Sequence, residues 1–507
     1  MDLVSPSTVY ELLFCCGQDP GRNAIECPGY RPCTFQDLRD QITIAVNTLH
    51  AQGLGRNARI ALTAPAGPFT ATALISIMAG FTAVPLNPQG REEEYRLAFM
   101  AMKPDLIIVP SGSSSAAVEA AGLLQIPVIS MTPSQHTAGL FKLDRPVAGT
   151  SPESYASPDD TSVVFMTSGT TAAPKIVPFT QERLCRDVCR MGVYHFGSTD
   201  RHLHIMPLFH IAGIKGTLLA PLMSGGTVIC PEEFIAPDFL PLLHSHHITE
   251  FIAVPAMLQA ILRELHRVPA KDLRPNSLRR IRSGSSRLPG RVRDELGELL
   301  GVPVIEGYAS TEAGTITVNI PPCPDSVGLP VIEELVIADS AGNCLGPGET
   351  GEIRVRGSTV FSGYENAPDE TAAAFDNGWF RTGDLGYRDS AGYLFLTGRK
   401  NERINKGGEK ISPAVIDAAL LSHPLVVDAM AFSLEDPRLG EEIAAVVVRK
   451  QPDLTERALR QFLIDRLNPS LMPAQIFFAD SVPRNAHGKL QRSEGTRRYA
   501  GQRKTRS

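Results

Sequence analysis

Residues 60–90 carry no charged side chain, and this narrows sharply what the chain can fold into. An uncharged run of that length is long enough to cross a bilayer. However, Pro65, Gly67, Pro68, Gly80 and Pro85 divide it into pieces too short to do so. It reads instead as a buried strand over 60–63, a helix over 70–79 and a second buried strand over 83–86. A strand, helix and strand that all lack a charged face must be covered on every side, as in a βαβ unit of a layered α/β domain.

The alternation continues to about residue 390. Apolar β-rich runs at 105–110, 126–130, 162–166 and 227–230 are separated by helical stretches such as 239–244. This predicts an α/β fold, a large N-terminal domain of parallel sheets flanked by helices. From about Asp325 the pattern changes to Gly-rich turns and shorter strands, 333–337 and 351–356, expected to form an antiparallel β-subdomain. A chain of 507 residues needs more than one core. The polar run Arg399-Lys400-Asn401-Glu402 marks the boundary, giving domains 1–398 and 399–507. The second reads as a small, mobile α+β lid with helix 413–422, strands 426–432 and 442–448, helix 455–467 and a last strand at 476–478.

The net charge of −5 argues against a nucleic-acid partner. Nine cysteines without paired CxxC spacing fit a reduced, cytoplasmic setting. Cys185 and Cys189, four apart, fall on one helix face. The first residues lack the basic-then-apolar pattern of a secretory signal, and Thr505-Arg506-Ser507 is not a Ser-Lys-Leu address. His244, His246 and His247 have no fourth metal ligand at suitable spacing and read as a solvated helix end.

The chemistry begins at Thr167-Ser168-Gly169-Thr170-Thr171-Ala172-Ala173-Pro174-Lys175, a small-residue loop leaving the run at 162–166. Its backbone N–H groups and hydroxyls suit an anion cradle for nucleotide phosphates. Alone, it reads better as an ordinary Ser/Thr-rich turn. It is not a Walker A loop, because Ile176 follows Lys175 and the second glycine is missing. Lys175 is either a phosphate ligand or a solvated loop charge. Downstream stand Glu306-Gly307-Tyr308-Ala309-Ser310-Thr311-Glu312, Arg381-Thr382-Gly383-Asp384, Gly398-Arg399, Ile404 to Pro413, and His487-Gly488-Lys489.

In this order and spacing, from about Thr34 to Arg492, the motifs resemble the adenylate-forming superfamily of acyl-CoA synthetases, peptide-synthetase adenylation domains and luciferases. The segments at 307–312 and 404–413 look most like the oxalate-type and peroxisomal-type small-acid CoA ligases of fungi and plants. The resemblance implies ATP-dependent activation of a small carboxylic acid as an acyl-adenylate, release of pyrophosphate, and transfer to coenzyme A. Two alternatives accompany it: loading of a carrier protein, and a catalytically weak nucleotide-binding relative.

By that resemblance Thr167, Ser168, Gly169, Thr170, Thr171 and Lys175 cradle phosphates. Glu306, Gly307 and Tyr308 bind the nucleotide, with Tyr308 on adenine; Thr311 contacts the α-phosphate and Glu312 holds Mg²⁺. Asp384 anchors the ribose beside Arg399. Lys489 bridges carboxylate and α-phosphate, and Gly407 and Gly408 line a pantetheine tunnel. The chain departs from the family at Ala172 and Ile176, where glycine is common, at His487, and at the hinge residue Asn401. His210, Ser285 and Ser286 border the acyl group and give it polar walls. His210 is there to bind a second carboxylate, or it is a gate or packing residue. No aspartate stands near Phe209-His210 to pair with a substrate ammonium, so an amino acid is disfavoured.

Overall fold

The computed structural model describes residues 5–144, 154–167, 175–273, 277–484, 489–500 and 502. The uncharged run forms strand Arg59–Leu62, helix Pro68–Gly80 and strand Thr82–Pro85. Every residue of that helix is buried, which is why it has no polar stripe: an interior helix is apolar all round. It crosses helix Phe35–His50 so closely that a Cβ on Gly80 would lie 3.0 Å from Val46 Cγ1.

Around this unit lies a seven-stranded sheet. Its order is Phe141–Leu143, Val128–Pro133, Leu106–Pro110, Arg59–Leu62, Thr82–Pro85, Thr161–Thr167 and Lys175–Thr180. The inner strands are parallel and the two edges antiparallel. Thr161–Thr167 and Lys175–Thr180 are antiparallel because the segment joining them is too short for the crossover a parallel pair requires.

A nine-stranded sheet holds the parallel strands Arg201–Leu203, Thr227–Ile229, Glu250–Ala253, Arg280–Ser283 and Val304–Ser310, and continues antiparallel into Gly314–Val318. The helix Phe239–Ser245 ends at His246, whose Nδ1 lies 3.3 Å from the Glu26 carboxylate. Among the described residues no cluster of three potential metal-ligating side chains occurs.

The expected β-subdomain is a five-stranded antiparallel sheet containing Glu334–Ala338, Gly351–Arg356, Trp379–Arg388 and Leu394–Arg399. A further five-stranded sheet contains Ile404–Lys406, Val426–Asp436, Gly440–Arg449 and Gln475–Phe478, packed with helices Pro413–Leu421 and Glu456–Ile464. Val426–Asp436 and Gly440–Arg449 run on into one long hairpin, so both strands exceed their expected lengths. The helix expected to reach 467 stops at Ile464 and is followed by a 3₁₀ turn, Pro469–Leu471. Cys185 and Cys189 share helix Gln181–His195, Cys185 buried and Cys189 facing the Met223 sulfur at 3.5 Å. Among the described residues no helix is long and apolar enough to cross a membrane.

Candidate active site

Strand Val304–Ser310 carries Tyr308 beneath the β-subdomain. There the Tyr308 hydroxyl donates to Asp384 Oδ2 at 2.6 Å. Asp384 and Arg399 are cross-strand partners, which brings Arg399 Nε to 3.0 Å from Oδ1. Gly383 reaches φ +72° just before Asp384, and the Asp384 amide donates to Thr382 Oγ1 at 3.1 Å. Burial, and then the Asp384 charge, push the Tyr308 phenol well above its ordinary pKa, so it stays a donor. Asp384 in turn raises the Arg399 guanidinium. A cavity of about 250 Å³ opens beside this trio, lined by Thr382, Gly383, Arg399, Lys400 and Asn401.

Thr311 and Glu312 occupy the turn between Val304–Ser310 and Gly314–Val318. The Tyr364 hydroxyl donates to Glu312 Oε1 at 3.2 Å, and burial followed by the Glu312 charge raises the Tyr364 pKa. Lys175 Nζ lies 4.7 Å above the Tyr364 ring, so one aromatic side chain touches both the lysine after the small-residue loop and the carboxylate. The donor set offered is one carboxylate and the Thr311 hydroxyl. That is too little for an all-protein metal cage, but it fits a hard cation that takes its remaining ligands from phosphate and water.

Lys489 is exposed, yet it sits in the field of the same groups. Partial desolvation and Arg399 lower its pKa, while Asp384, Glu312 and Glu402 oppose the change. Glu306 points elsewhere: its carboxylate accepts from the Leu288 amide at 2.9 Å, and burial raises its pKa. It thus fastens the segment after Arg287 to the strand. Gly307 is an exposed strand residue paired with Val318. Gly407 and Gly408, at φ +59° and +94°, form the two-residue turn of a hairpin, a conformation that needs positive φ at both positions.

His210 stands two residues before an unusual element. From Ala212 to Leu219 the chain is a π-helix, and such segments often mark functional sites. The carbonyl of His210 accepts from the Gly213 and Ile214 amides at 3.0 and 3.2 Å. Its ring lies 4.5 Å from Phe209. Ser285 and Ser286 are exposed at the end of strand Arg280–Ser283, and Ser285 holds φ +71°. A non-glycine residue in that region stores backbone strain, which clusters at ligand-binding segments.

Thr167 ends strand Thr161–Thr167, its hydroxyl donating to the Lys175 carbonyl at 3.3 Å. Ser168, Gly169, Thr170, Thr171 and Ala172 lie outside the described residues, as do His487 and Gly488. Sequence reasoning passed over Tyr364 and Arg183. The available signal for Arg183 was the spacing of Arg183, Asp187 and Arg190 on a helix whose other face is Leu184, Cys185 and Val188.

With this geometry in place, comparison with known proteins identifies the class. The family model described as AMP-binding enzyme matches residues 15–365, and that of the AMP-binding enzyme C-terminal domain matches residues 415–489. The chain belongs to the AMP-binding enzyme family and is an AMP-forming acid–thiol ligase. A probable CoA ligase CCL9 of Humulus lupulus is 36% identical, with 93% of this chain and 92% of that protein covered. An oxalate–CoA ligase of Arabidopsis thaliana is also 36% identical, over 93% of this chain and 95% of its own length. Among solved structures, ATP-bound MatB from Rhodopseudomonas palustris superposes with a TM-score of 0.88 at 25% identity, covering 98% of this chain and 99% of that one.

Proposed function

We propose that the protein joins a small dicarboxylic acid to coenzyme A in a cytoplasmic setting, consuming Mg·ATP and releasing AMP and pyrophosphate. The observation that carries the reading is the position of Lys489, in the field of both Asp384 and Glu312. A lysine of the C-terminal domain thus lies within electrostatic reach of both the ribose-type carboxylate and the metal-type carboxylate. The boundary at 398/399 then makes residues 399–507 the lid that delivers it. Carrier-protein loading is not favoured, since both full-length relatives described above carry the name of CoA ligases.

In the first half-reaction a substrate carboxylate oxygen attacks the α-phosphorus of ATP, and the bond to the pyrophosphate oxygen breaks. Two anions must meet, so catalysis rests on positioning and charge neutralisation. Tyr308 presents its ring to adenine, while Asp384, with Arg399 beside it, accepts from the ribose hydroxyls. Lys489 balances charge as carboxylate and phosphate approach, and Lys175 serves the departing phosphates. Glu312, with Thr311, would hold Mg²⁺, which when bound neutralises phosphate charge. In the second half-reaction the CoA sulfur attacks the carbonyl carbon of the mixed anhydride, AMP leaves with the bonding pair, and the thiol proton passes to solvent. The hairpin turn at Gly407 and Gly408 lets the pantetheine arm approach the backbone closely.

A dicarboxylate is supported by the polar side chains His210, Ser285 and Ser286, which the family resemblance assigns to the border of the acyl group, and by the oxalate–CoA ligase relative. Pyrophosphate release with CoA across oxalate, malonate, succinate, acetate, hexanoate and 4-coumarate tests this. Highest kcat/KM on a short diacid is expected, and a preference for hexanoate or 4-coumarate overturns the substrate reading.

A further inference from the structure

One face of helix Gln181–His195 grips the turn that carries Thr311 and Glu312. Arg183 is only 7% exposed, and its guanidinium is spent entirely on main-chain carbonyls. Nη2 donates to the carbonyls of Thr311 and Glu312, each at 2.7 Å. Nε donates to the Thr359 carbonyl at 2.7 Å, and Nη1 to that of Pro178, in the strand that begins at Lys175, at 2.9 Å. The plane sits 3.8 Å over the Phe179 ring. One turn on, Asp187 accepts the Thr315 amide at 3.0 Å, and a further turn on Arg190 donates to Thr359 Oγ1 at 2.9 Å. Thr359 Oγ1 in turn donates to the Ala313 carbonyl at 2.9 Å. Residues four and seven positions apart on a helix share a face, so Arg183, Asp187 and Arg190 fasten both ends of the turn from one side.

The clamp is expensive to build, which points to a purpose beyond packing. Burial pulls the Arg183 pKa down to about 10. Asp187 is fully buried and forms an ion pair with the equally buried Lys215 of the π-helix. Lys215 also donates to Thr315 Oγ1 at 2.9 Å. Gly314, at φ +74°, leaves no room for a side chain, because a Cβ there would lie 2.6 Å from Asp187 Oδ2. A buried charged network of this kind gains little stability over an apolar core of equal volume, whereas it does fix backbone position.

We propose that Arg183 is a positioning residue for metal-dependent nucleotide binding: it holds the Thr311 and Glu312 carbonyls to the strand that begins at Lys175 and so sets the Glu312 carboxylate toward the phosphates. The inference rests on the reading of Glu312 as the metal-holding carboxylate. Mg²⁺ tolerates little deviation from octahedral geometry, so a carboxylate whose supporting backbone drifts loses the ion before it loses the nucleotide. Groups that orient a metal ligand typically matter by about 10- to 100-fold in metal affinity.

The test is calorimetric binding of the non-hydrolysable analogue α,β-methylene-ATP, in EDTA and in saturating MgCl₂, to the full chain and its variants. Neither measurement needs the acid substrate. Arg183→Met keeps the stem over Phe179 and removes all four hydrogen bonds. It is expected to bind the metal-free analogue within about twofold of wild type while losing about tenfold or more of the Mg²⁺-dependent gain. Arg183→Lys, which keeps the charge and reaches fewer carbonyls, is expected to fall between them and carries the test if the methionine variant does not fold. Glu312→Gln is the control for the underlying reading. If Glu312→Gln retains the full Mg²⁺ gain, the metal assignment fails. If Glu312→Gln loses the gain and folded Arg183 variants keep it, the assignment stands and the positioning role fails. Equal loss with and without Mg²⁺, or failure of both Arg183 variants to fold, likewise overturns the positioning role in favour of a purely structural one.

Discussion

The Tyr308 hydroxyl donates to Asp384 at 2.6 Å across 76 residues of sequence. The aromatic side chain of the Glu306 to Glu312 motif and the carboxylate of the Arg381 to Asp384 motif are therefore one unit. Removing the hydroxyl leaves the ring in place and frees one carboxylate oxygen. Tyr308→Phe is expected to raise KM for ATP about tenfold, the lower end for one hydrogen bond to a charged group, with kcat nearly unchanged. Asp384→Asn removes the charge facing Arg399 and is expected to lower kcat/KM for ATP by about 100-fold, as for a charge-assisted pair broken when partly buried. ATP titrations of pyrophosphate release measure both. Fully additive losses in the Tyr308→Phe/Asp384→Asn double variant would dissolve the pairing as a functional unit.

Lys489 tests the lid. A cation that neutralises charge while a carboxylate attacks a phosphate has no such task once the phosphate is a leaving group. Lys489→Ala is expected to slow acyl-adenylate formation by about 100-fold or more, the scale of losing one transition-state donor. Transfer from a chemically prepared acyl-adenylate to CoA should stay within about twofold of wild type. Rapid-quench assays of the separate half-reactions decide this, and parallel losses in both would remove Lys489 from its assigned role.

How far the sequence led depends on the kind of residue. The unit formed by Arg59–Leu62, Pro68–Gly80 and Thr82–Pro85 was legible because a helix buried on all sides must dispense with charge. The motifs at 306–312 and 381–384 were legible as local patterns. Their meeting was not, since hydrogen bonding across 76 residues leaves no local trace. Arg183, Asp187 and Arg190 were missed for the opposite reason. A charged stripe on an amphipathic helix ordinarily faces water, and here it faces the backbone of a turn. The π-helix from Ala212 to Leu219 has no composition of its own, and the long hairpin of Val426–Asp436 and Gly440–Arg449 outran the apolar core by which strand ends were judged.

Acid sensitivity should originate at strand Arg201–Leu203 of the nine-stranded sheet. His202 and His204 are both buried, and burial holds both below the ordinary value, His204 at about 4. His204 Nδ1 lies 2.7 Å from Thr217 Oγ1 of the π-helix. Neither nitrogen of His202 has a partner among the described residues. In the unfolded chain these rings take up protons near pH 6.5, so the unfolded state binds protons first as pH falls. The stability of keeping them neutral is therefore complete above about pH 6.5 and is lost progressively toward pH 4, by roughly 3 kcal/mol for His204 alone. Urea melts at pH 7.5, 5.5 and 4.5 should show this slope, and His204→Asn, which can still bond Thr217, should flatten it. An unchanged slope in a folded His204→Asn protein would move the acid sensitivity elsewhere.

The residues proposed to border the acyl group yield the last prediction. Ser285 holds a left-handed backbone with its side chain exposed, and His210 leads into a π-helix that must accommodate an extra residue per turn. Both are locally unfavourable arrangements, retained where a ligand gains from them. A pocket built to hydrogen-bond a polar group rejects analogues that lack it, because its own donors are then left unpaired. Replacing His210 by alanine should therefore lower kcat/KM for a short diacid about tenfold more than for a monoacid of similar size, the worth of one hydrogen bond to a charged group. Ser285→Gly serves as the backbone control: it relieves the strain of the positive φ and removes the CH₂OH side chain. If it costs diacid activity as His210→Ala does, the hydroxyl participates, and if it leaves activity intact, the strain is incidental. A His210→Ala enzyme that loses monoacid and diacid activity equally would make the histidine a gate or packing residue and leave the second carboxylate to be read by other groups.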